Sequence, residues 1–183
     1  MKGIVFNLLE EAVSSEYGDA VWDQFLDEAG LEGAYTSLGS YNDAEISAIV
    51  EIAAKTLQIA PEDVLRWFGQ RAMPLLAKRY PAFFANHTTA SSFLLTLNSI
   101  IHPEVRKLYP GATPPVFDFD QSPDGKLAIG YNSDRRLCAL AEGFMQGAAT
   151  YYQERIEIQQ PQCMHHGEKK CVFHVRFRRD TPV

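Results

Sequence analysis

Three side chains that donate hydrogen bonds occupy alternate positions in the segment Tyr131-Asn132-Ser133-Asp134-Arg135. In an extended segment, residues two apart lie on the same face, so a phenol, a hydroxyl and a guanidinium should converge. A guanidinium is a planar, permanently charged fork that binds a carboxylate through two parallel hydrogen bonds. The spacing therefore predicts a site for a ligand that carries carboxylates.

A histidine upstream of this segment adds a potential metal ligand. His102 precedes Pro103, and proline favours the first turn of a helix, so we expect His102 at a helix junction. Imidazole coordinates iron, and the two propionates of haem are carboxylates. His102 and the three donors together are the set needed to hold haem, although neither part alone is strong evidence.

Length and composition predict one globular domain. The chain has 183 residues, of which 46% are hydrophobic, enough to bury a sizeable core. No apolar run approaches the ~18 residues that a membrane span needs, and the start is too quickly acidic for a secretory signal. Three cysteines are an odd number, which argues against a closed disulfide framework. We therefore expect a cytoplasmic protein that does not enter a membrane.

Charge is distributed unevenly along the chain. Residues 1–60 carry 11 acidic and 2 basic side chains, whereas residues 61–183 carry 12 acidic and 15 basic ones. Phosphate binding needs clustered lysine and arginine, so the acidic first third excludes a nucleic-acid surface there. This acidic region is either a set of solvated helix faces or a face that binds a partner.

The hydrophobic spacing changes along the chain from helical to alternating. Helices are predicted at residues 4–12, 22–29, 43–57, 61–72, 75–80, 91–101 and 135–150, with a further one from Pro103. A proline-rich connector, residues 110–115, precedes strands at 116–120 and 127–131 with a turn at 123–126, and later strands at 155–159 and 172–177. The fold class is α+β, a helical N-terminal part followed by a C-terminal antiparallel sheet with helices.

Three segments together carry a resemblance to a known family. Leu97-Asn98-Ser99-Ile100-Ile101-His102, Tyr109-Pro110-Gly111-Ala112-Thr113-Pro114-Pro115 and Tyr131-x-Ser133-x-Arg135 resemble the haem-nitric oxide/oxygen binding (H-NOX) domain. That family includes bacterial gas sensors and the haem domain of soluble guanylate cyclase. The resemblance spans essentially the whole chain. It implies a single domain, 1–183, with haem b buried between a distal helical part (about 1–60) and a proximal part with the sheet (61–183).

The resemblance implies roles for individual residues. His102 matches the proximal ligand of the haem iron, and Tyr131, Ser133 and Arg135 match the clamp for the haem propionates. Pro115 matches the proline that presses on the haem face and bends it.

The distal side of the haem decides which gas stays bound. Oxygen-binding relatives have a tyrosine donor five positions after the motif arginine, and here that position is Leu140. The other residues expected at the distal cavity are also apolar: Val5, Leu8 or Leu9, Ala141 and Phe144. A buried donor stabilises bound oxygen by roughly 1.5–3 kcal/mol. Its absence predicts a nitric oxide sensor, also able to bind carbon monoxide, with an oxygen-binding haem sensor as the alternative.

The same resemblance implies a route for the signal. Nitric oxide weakens the iron bond opposite to it, so His102 and its helical segment should be released. The chain carries no effector domain, and relatives pair with histidine kinases or cyclic-di-GMP enzymes. We therefore expect a sensor that is not an enzyme. A module that binds another carboxylate ligand without haem is a further alternative.

The cysteines form a separate group. Cys163 and Cys171 flank Met164-His165-His166 and three charged residues, and Cys138 lies upstream. Thiolates and histidines at a hairpin tip can form a tetrahedral zinc site. A subset of H-NOX proteins binds zinc through three cysteines and a histidine three positions before the second cysteine.

Here that position is Gln160, so His166 or His165 must supply the fourth ligand if zinc is bound. The alternative is a thiol redox sensor, because Lys169 and Lys170 would lower thiol pKa values. A Cys163–His165 nucleophile is disfavoured, since a polar hairpin offers no buried, oriented base.

Overall fold

The structure is a computed structural model that describes residues 1–122 and 126–179. Eight α-helices lie among them: α1 (Gly3–Tyr17), α2 (Asp19–Ala29), α3 (Asp43–Leu57), α4 (Pro61–Arg79), α5 (Pro81–Phe84), α6 (Ala90–Leu94), α7 (His102–Leu108) and α8 (Cys138–Tyr151). The strands are β1 (Val116–Gln121), β2 (Leu127–Asn132), β3 (Glu154–Gln162) and β4 (Cys171–Arg179). The predicted α+β class is confirmed.

Helix α4 is longer than the spacing predicted. It runs without interruption through Pro74, so the separate helix predicted at residues 75–80 is wrong. The reason is tertiary, because α4 packs closely along α8. A Cβ atom on Gly69 would lie 2.6 Å from the Leu140 carbonyl oxygen, and one on Gly143 would lie 2.2 Å from the Arg66 carbonyl oxygen. This packing keeps α4 helical beyond Pro74, although proline has no N–H group to donate to a helical hydrogen bond.

The predicted helix at residues 91–101 is two short elements. Helix α6 ends at Leu94, and a π-helical turn (Leu97–Ile101) follows, which we call the π-turn. Helix α7 then begins at His102, so the predicted junction is present.

The four strands form one antiparallel sheet in the order β1-β2-β4-β3. β1 pairs with β2 and β3 with β4, as the two predicted hairpins require. The first predicted turn, at residues 123–126, falls largely on residues 123–125, which lie outside the described part of the chain.

Two apolar clusters fill the interior. One packs α1–α3 against the first half of α4, and the other packs α8 and the second half of α4 against the sheet. Leu140 belongs to the first cluster and Ala141 to the second, so α8 contributes to both. No helix within residues 1–122 and 126–179 has the length and hydrophobicity to cross a membrane.

Candidate functional site

A cavity of about 440 Å³ lies where the two clusters meet. Its volume falls in the range of about 300–1,000 Å³ that is typical of small-molecule and cofactor sites. The lining is largely apolar, with polar side chains from α7, from the connector before β1 and from the end of β2. Such a lining suits an apolar ligand that has a few polar groups.

His102 enters this cavity from the first turn of α7. Its ring centroid lies 5.9 Å from that of Phe117 on β1. Burial lowers the pKa of His102 to about 4, and the Arg106 charge adds to this, while the Pro115 carbonyl opposes it. The imidazole is therefore neutral at pH 7, with a lone pair available to a metal. Its Nδ1 atom is buried and makes no well-formed hydrogen bond to the described residues.

Tyr131 and Ser133 line the same cavity beside the end of β2. The Tyr131 hydroxyl accepts a hydrogen bond from the Leu137 amide at 3.0 Å and contacts the Ser133 side chain. Burial raises the pKa of Tyr131, so the phenol keeps its proton and can donate.

The segment from Tyr131 to Arg135 is not extended over its whole length, contrary to what the spacing predicted. β2 ends at Asn132, and a turn follows in which the Arg136 amide donates to the Ser133 carbonyl at 3.0 Å. Arg136 adopts a positive φ of 52°, and α8 begins at Cys138 rather than at Arg135. A tight turn, not strand alternation, brings Arg135 to the cavity with Tyr131 and Ser133.

The Arg135 guanidinium is held by groups that the sequence did not identify. Its Nε atom forms an ion pair with Asp43 Oδ2 at 2.9 Å, and Nη1 donates to the carbonyl and hydroxyl oxygens of Thr113 at 2.8 and 2.7 Å. Burial acts to raise the pKa of Asp43, but the Met1 amino group and Arg135 outweigh it, so the pKa lies below its usual range. No local pattern predicts this contact, since Asp43 and Arg135 are far apart in sequence.

The other expected contact residues mostly line the cavity. These are Pro115, Val5, Leu140, Ala141 and Phe144, together with Leu8 of the predicted pair. Leu9 is the exception, since it lines a second, smaller cavity between α1, α3 and α4. Adjacent helical residues point about 100° apart, so only one of Leu8 and Leu9 can face the main cavity.

Two tyrosines that the sequence did not single out also line the cavity. Tyr80 follows α4, Tyr109 follows α7, and their hydroxyls hydrogen-bond to each other. Tyr109 begins the proline-rich segment of residues 109–115, but nothing in the sequence links it to Tyr80.

The three cysteines converge at one buried point beside the sheet. The Sγ atom of Cys163 lies 3.8 Å from both Cys138 Sγ and Cys171 Sγ. Tetrahedral zinc with Zn–S bonds of about 2.3 Å requires sulfur atoms about 3.8 Å apart. Both pairs that contain Cys163 match this separation, and all three sulfur atoms lie within 4.8 Å of one another.

The expected fourth ligand is not at this cluster. His166 is exposed, and exposed His165 contacts the Arg136 carbonyl instead. The Gln160 side chain lies against Cys138, with its Nε2 atom buried. Turn Met164–His166 directs both imidazoles outwards, which corrects the expectation for His166.

The thiols also differ from the expectation of lowered pKa values. All three are buried. Burial raises the pKa of Cys138 to about 12 and also raises the pKa of Cys171. Lys170 pairs with Asp118 at 2.7 Å. Without a metal, Cys138 and Cys171 are protonated at pH 7, which disfavours the thiol redox alternative.

Comparison with known proteins shows the family to which the chain belongs. A family model described as Haem-NO-binding matches residues 2–160. The chain belongs to this family. Membership implies haem-based gas sensing by a sensor domain rather than a catalytic one.

Solved structures of the family share the whole fold. A crystal structure of an H-NOX protein from S. oneidensis in the Fe(II)NO ligation state is 34% identical, with a TM-score of 0.92 over 97% of this chain and 99% of that one. An NMR structure of an H-NOX domain from Shewanella oneidensis in the Fe(II)CO state is 34% identical, with a TM-score of 0.89 over 98% and 100%. A crystal structure of the Fe(II) unliganded K. algicida H-NOX protein shares the fold at 24% identity, with a TM-score of 0.87 over the full length of both chains.

Proposed function

We propose that this protein is a nitric oxide sensor that holds haem b through His102 and does not retain oxygen. The observation that carries the proposal is the lining of one cavity. A neutral histidine, the Tyr131-Ser133-Arg135 clamp and the apolar residue Leu140 all face it.

The residues that line the cavity match both the iron and the propionates of haem. His102 offers a neutral imidazole to the iron, while Tyr131, Ser133 and Arg135 offer donors to the propionates. Pro115 lines the same space and would press on the macrocycle. Haem supplies the iron that binds the gas, and the protein supplies its orientation and the polarity around it.

Discrimination against oxygen rests on the absence of a donor at Leu140. The side chains that follow it on α8, Ala141 and Phe144, are also apolar. The Tyr80 and Tyr109 hydroxyls also line the cavity, and the hydrogen bond between them uses one of their two phenol protons. Oxygen bound beside Leu140 would lack the roughly 1.5–3 kcal/mol that a buried donor at that position contributes.

The signal would arise at His102. Haem held by His102 would supply the iron that binds nitric oxide, and loss of the bond between His102 and that iron would leave α7 free to shift. Helix α7 would then have two positions, and a separate partner protein could bind one of them in preference to the other. We place that partner among the histidine kinases or cyclic-di-GMP enzymes, in the cytoplasm, where three unpaired thiols remain reduced.

The absorption spectrum of the reduced protein tests this proposal. We expect a spectrum of haem with one histidine ligand, unchanged in air, that nitric oxide converts to one without the histidine. A stable oxygen complex would favour the oxygen-sensor alternative. A colourless protein that takes up no haem would overturn the proposal altogether.

A Leu140→Tyr variant tests the distal assignment directly. The introduced phenol should make oxygen affinity measurable by aerobic titration, with a gain of about 10- to 100-fold, the equivalent of one buried hydrogen bond to a charged group. Leu38→Tyr, at a position that is 65% exposed, is the matched control and should leave oxygen binding unchanged. Unchanged oxygen exclusion in the Leu140 variant would place that residue away from the gas.

We also propose that Cys138, Cys163 and Cys171 hold a structural zinc ion. The 3.8 Å sulfur separations support it. The Gln160 amide beside Cys138 would donate a hydrogen bond to the metal-bound thiolate rather than serve as the fourth ligand. Metal analysis of the purified protein should find one zinc per chain.

A further inference from the structure

The chain leaves the α-helical hydrogen-bond register immediately before His102. The Thr96 carbonyl accepts from the amides of both Ile100 and Ile101, at 2.9 and 3.1 Å, and the His102 amide donates to the Leu97 carbonyl five residues back. Pro103 explains the wide turn, because a proline ring clashes with the carbonyl four residues earlier in a regular helix. His102 therefore follows a turn whose hydrogen bonds depart from the regular α-helical pattern.

Asn98 ties this π-turn to the sheet. Its side-chain Nδ2 donates to the Phe117 carbonyl, and its Oδ1 accepts from the Phe117 amide at 3.2 Å. One amide side chain thus satisfies both main-chain groups of a residue in β1, which is one of the two edge strands of the sheet. The two-point contact imitates a neighbouring strand and fixes both distance and orientation.

Phe117 connects this contact to the rest of the site. Its ring centroid lies 5.9 Å from His102 and 5.8 Å from Tyr131, and its main chain is paired with Tyr131 in the sheet. The segment before His102, the aromatic ring beside the imidazole and the clamp strand are therefore joined through Asn98.

We propose that Asn98 is a positioning residue for His102, which holds the π-turn against β1 and so sets how readily His102 is released. This inference rests on the proposed function, in which nitric oxide weakens the bond to His102. While Asn98 is bonded to Phe117, the π-turn that precedes α7 cannot move away from β1 without breaking both hydrogen bonds. Their loss should make release easier.

Asn98→Leu removes both hydrogen bonds at similar side-chain volume. In this variant we expect the equilibrium between His102-bound and His102-released nitric oxide complexes to shift about tenfold toward release, the effect of about one lost hydrogen bond. The measurement is the absorption spectrum during nitric oxide titration, supported by the iron–histidine vibration of the reduced protein. Asn98→Asp, which can still accept from the Phe117 amide, should show a smaller shift.

Ser99→Ala is the matched control, because Ser99 is an exposed neighbour in the same turn. It should behave as the wild type. Hydrogen exchange of the Phe117 amide in the haem-free protein gives a second readout, and we expect faster exchange in Asn98→Leu only. Wild-type release and exchange in Asn98→Leu would overturn the positioning role, whereas a wild-type protein that takes up no haem would overturn the proposed function instead.

Discussion

At the scale of single residues, burial sets the chemistry of the site. His102 is neutral because its surroundings disfavour the charged imidazolium, with a pKa lowered to about 4. Tyr131 keeps its proton for the same reason. Burial therefore keeps His102 neutral, as a metal ligand must be, and keeps the Tyr131 phenol able to donate a hydrogen bond.

Replacing His102 by glycine should permanently remove the proposed link between α7 and the haem iron. We expect the reduced His102→Gly protein to resemble the nitric-oxide-bound wild type, because both lack the bond that restrains α7. Hydrogen exchange over residues 97–108 measures the similarity, with His174→Gly, at an exposed strand position, as the control. Exchange like that of the unliganded wild type would contradict release as the signal.

At the scale of elements, contacts between distant segments position the clamp. Asp43 lies in the first turn of α3 and pairs with both the Met1 amino group and Arg135. The N-terminus, α3 and the turn after β2 are therefore fixed to one another. Gly69 of α4 and Gly143 of α8 also fix the relative position of two elements, because they allow the backbones of these helices to come into contact.

Asp43→Asn should destabilise the protein in a pH-dependent manner. The pKa of Asp43 is lowered in the folded state, so its contribution is present above the ordinary value of 3.8 and disappears as pH falls through the folded value. At pH 7 we expect a loss of about 0.5–1 kcal/mol, the size of a partly exposed ion pair. Urea unfolding at several pH values measures it.

Asp19→Asn is the matched control, because Asp19 also lies in the first turn of a helix. Its effect on the free energy of unfolding should be smaller than that of Asp43→Asn at pH 7. A difference between the Asp43 variant and the wild type that persists unchanged at low pH would contradict the ion-pair origin.

Gly143→Ala should weaken the packing of α8 on α4. A Cβ atom there would meet the Arg66 carbonyl oxygen at 2.2 Å, so the helices must separate. We expect the free energy of unfolding to fall by about 1–3 kcal/mol, despite the better helix propensity of alanine. Thr150→Ala, at the exposed end of the same helix, should stay within about 0.5 kcal/mol of the wild type. Equal stability of both variants would mean that the helices can move apart at no cost.

At the scale of the whole molecule, two apolar clusters meet at the cavity, and three buried cysteines lie together where α8 begins beside the sheet. Cys138 opens α8, whereas Cys163 and Cys171 border β3 and β4. A metal held by all three would fix the helix to the sheet and require three thiols to lose their protons.

Cys171→Ser should therefore lose zinc and stability together. We expect a loss of about 3 kcal/mol or more in the free energy of unfolding, or about 6–12 °C in melting temperature, by metal analysis and calorimetry. Wild-type protein stripped with a chelator should melt at a similarly lowered temperature. A wild type that contains no zinc yet is fully stable would refute the structural metal.

Much of this architecture follows from the sequence because its determinants are local. Helical spacing, proline-bounded turns and strand alternation predicted most elements, and the motif residues Tyr131, Ser133 and Arg135 do line one cavity with His102. Pro74 misled the prediction, since a proline normally ends a helix and only packing on α8 overrides it. The partners of Arg135, the Tyr80–Tyr109 contact and the choice of Leu8 over Leu9 depended on tertiary structure. They join residues far apart in the chain, and no local preference encodes which distant side chain meets which.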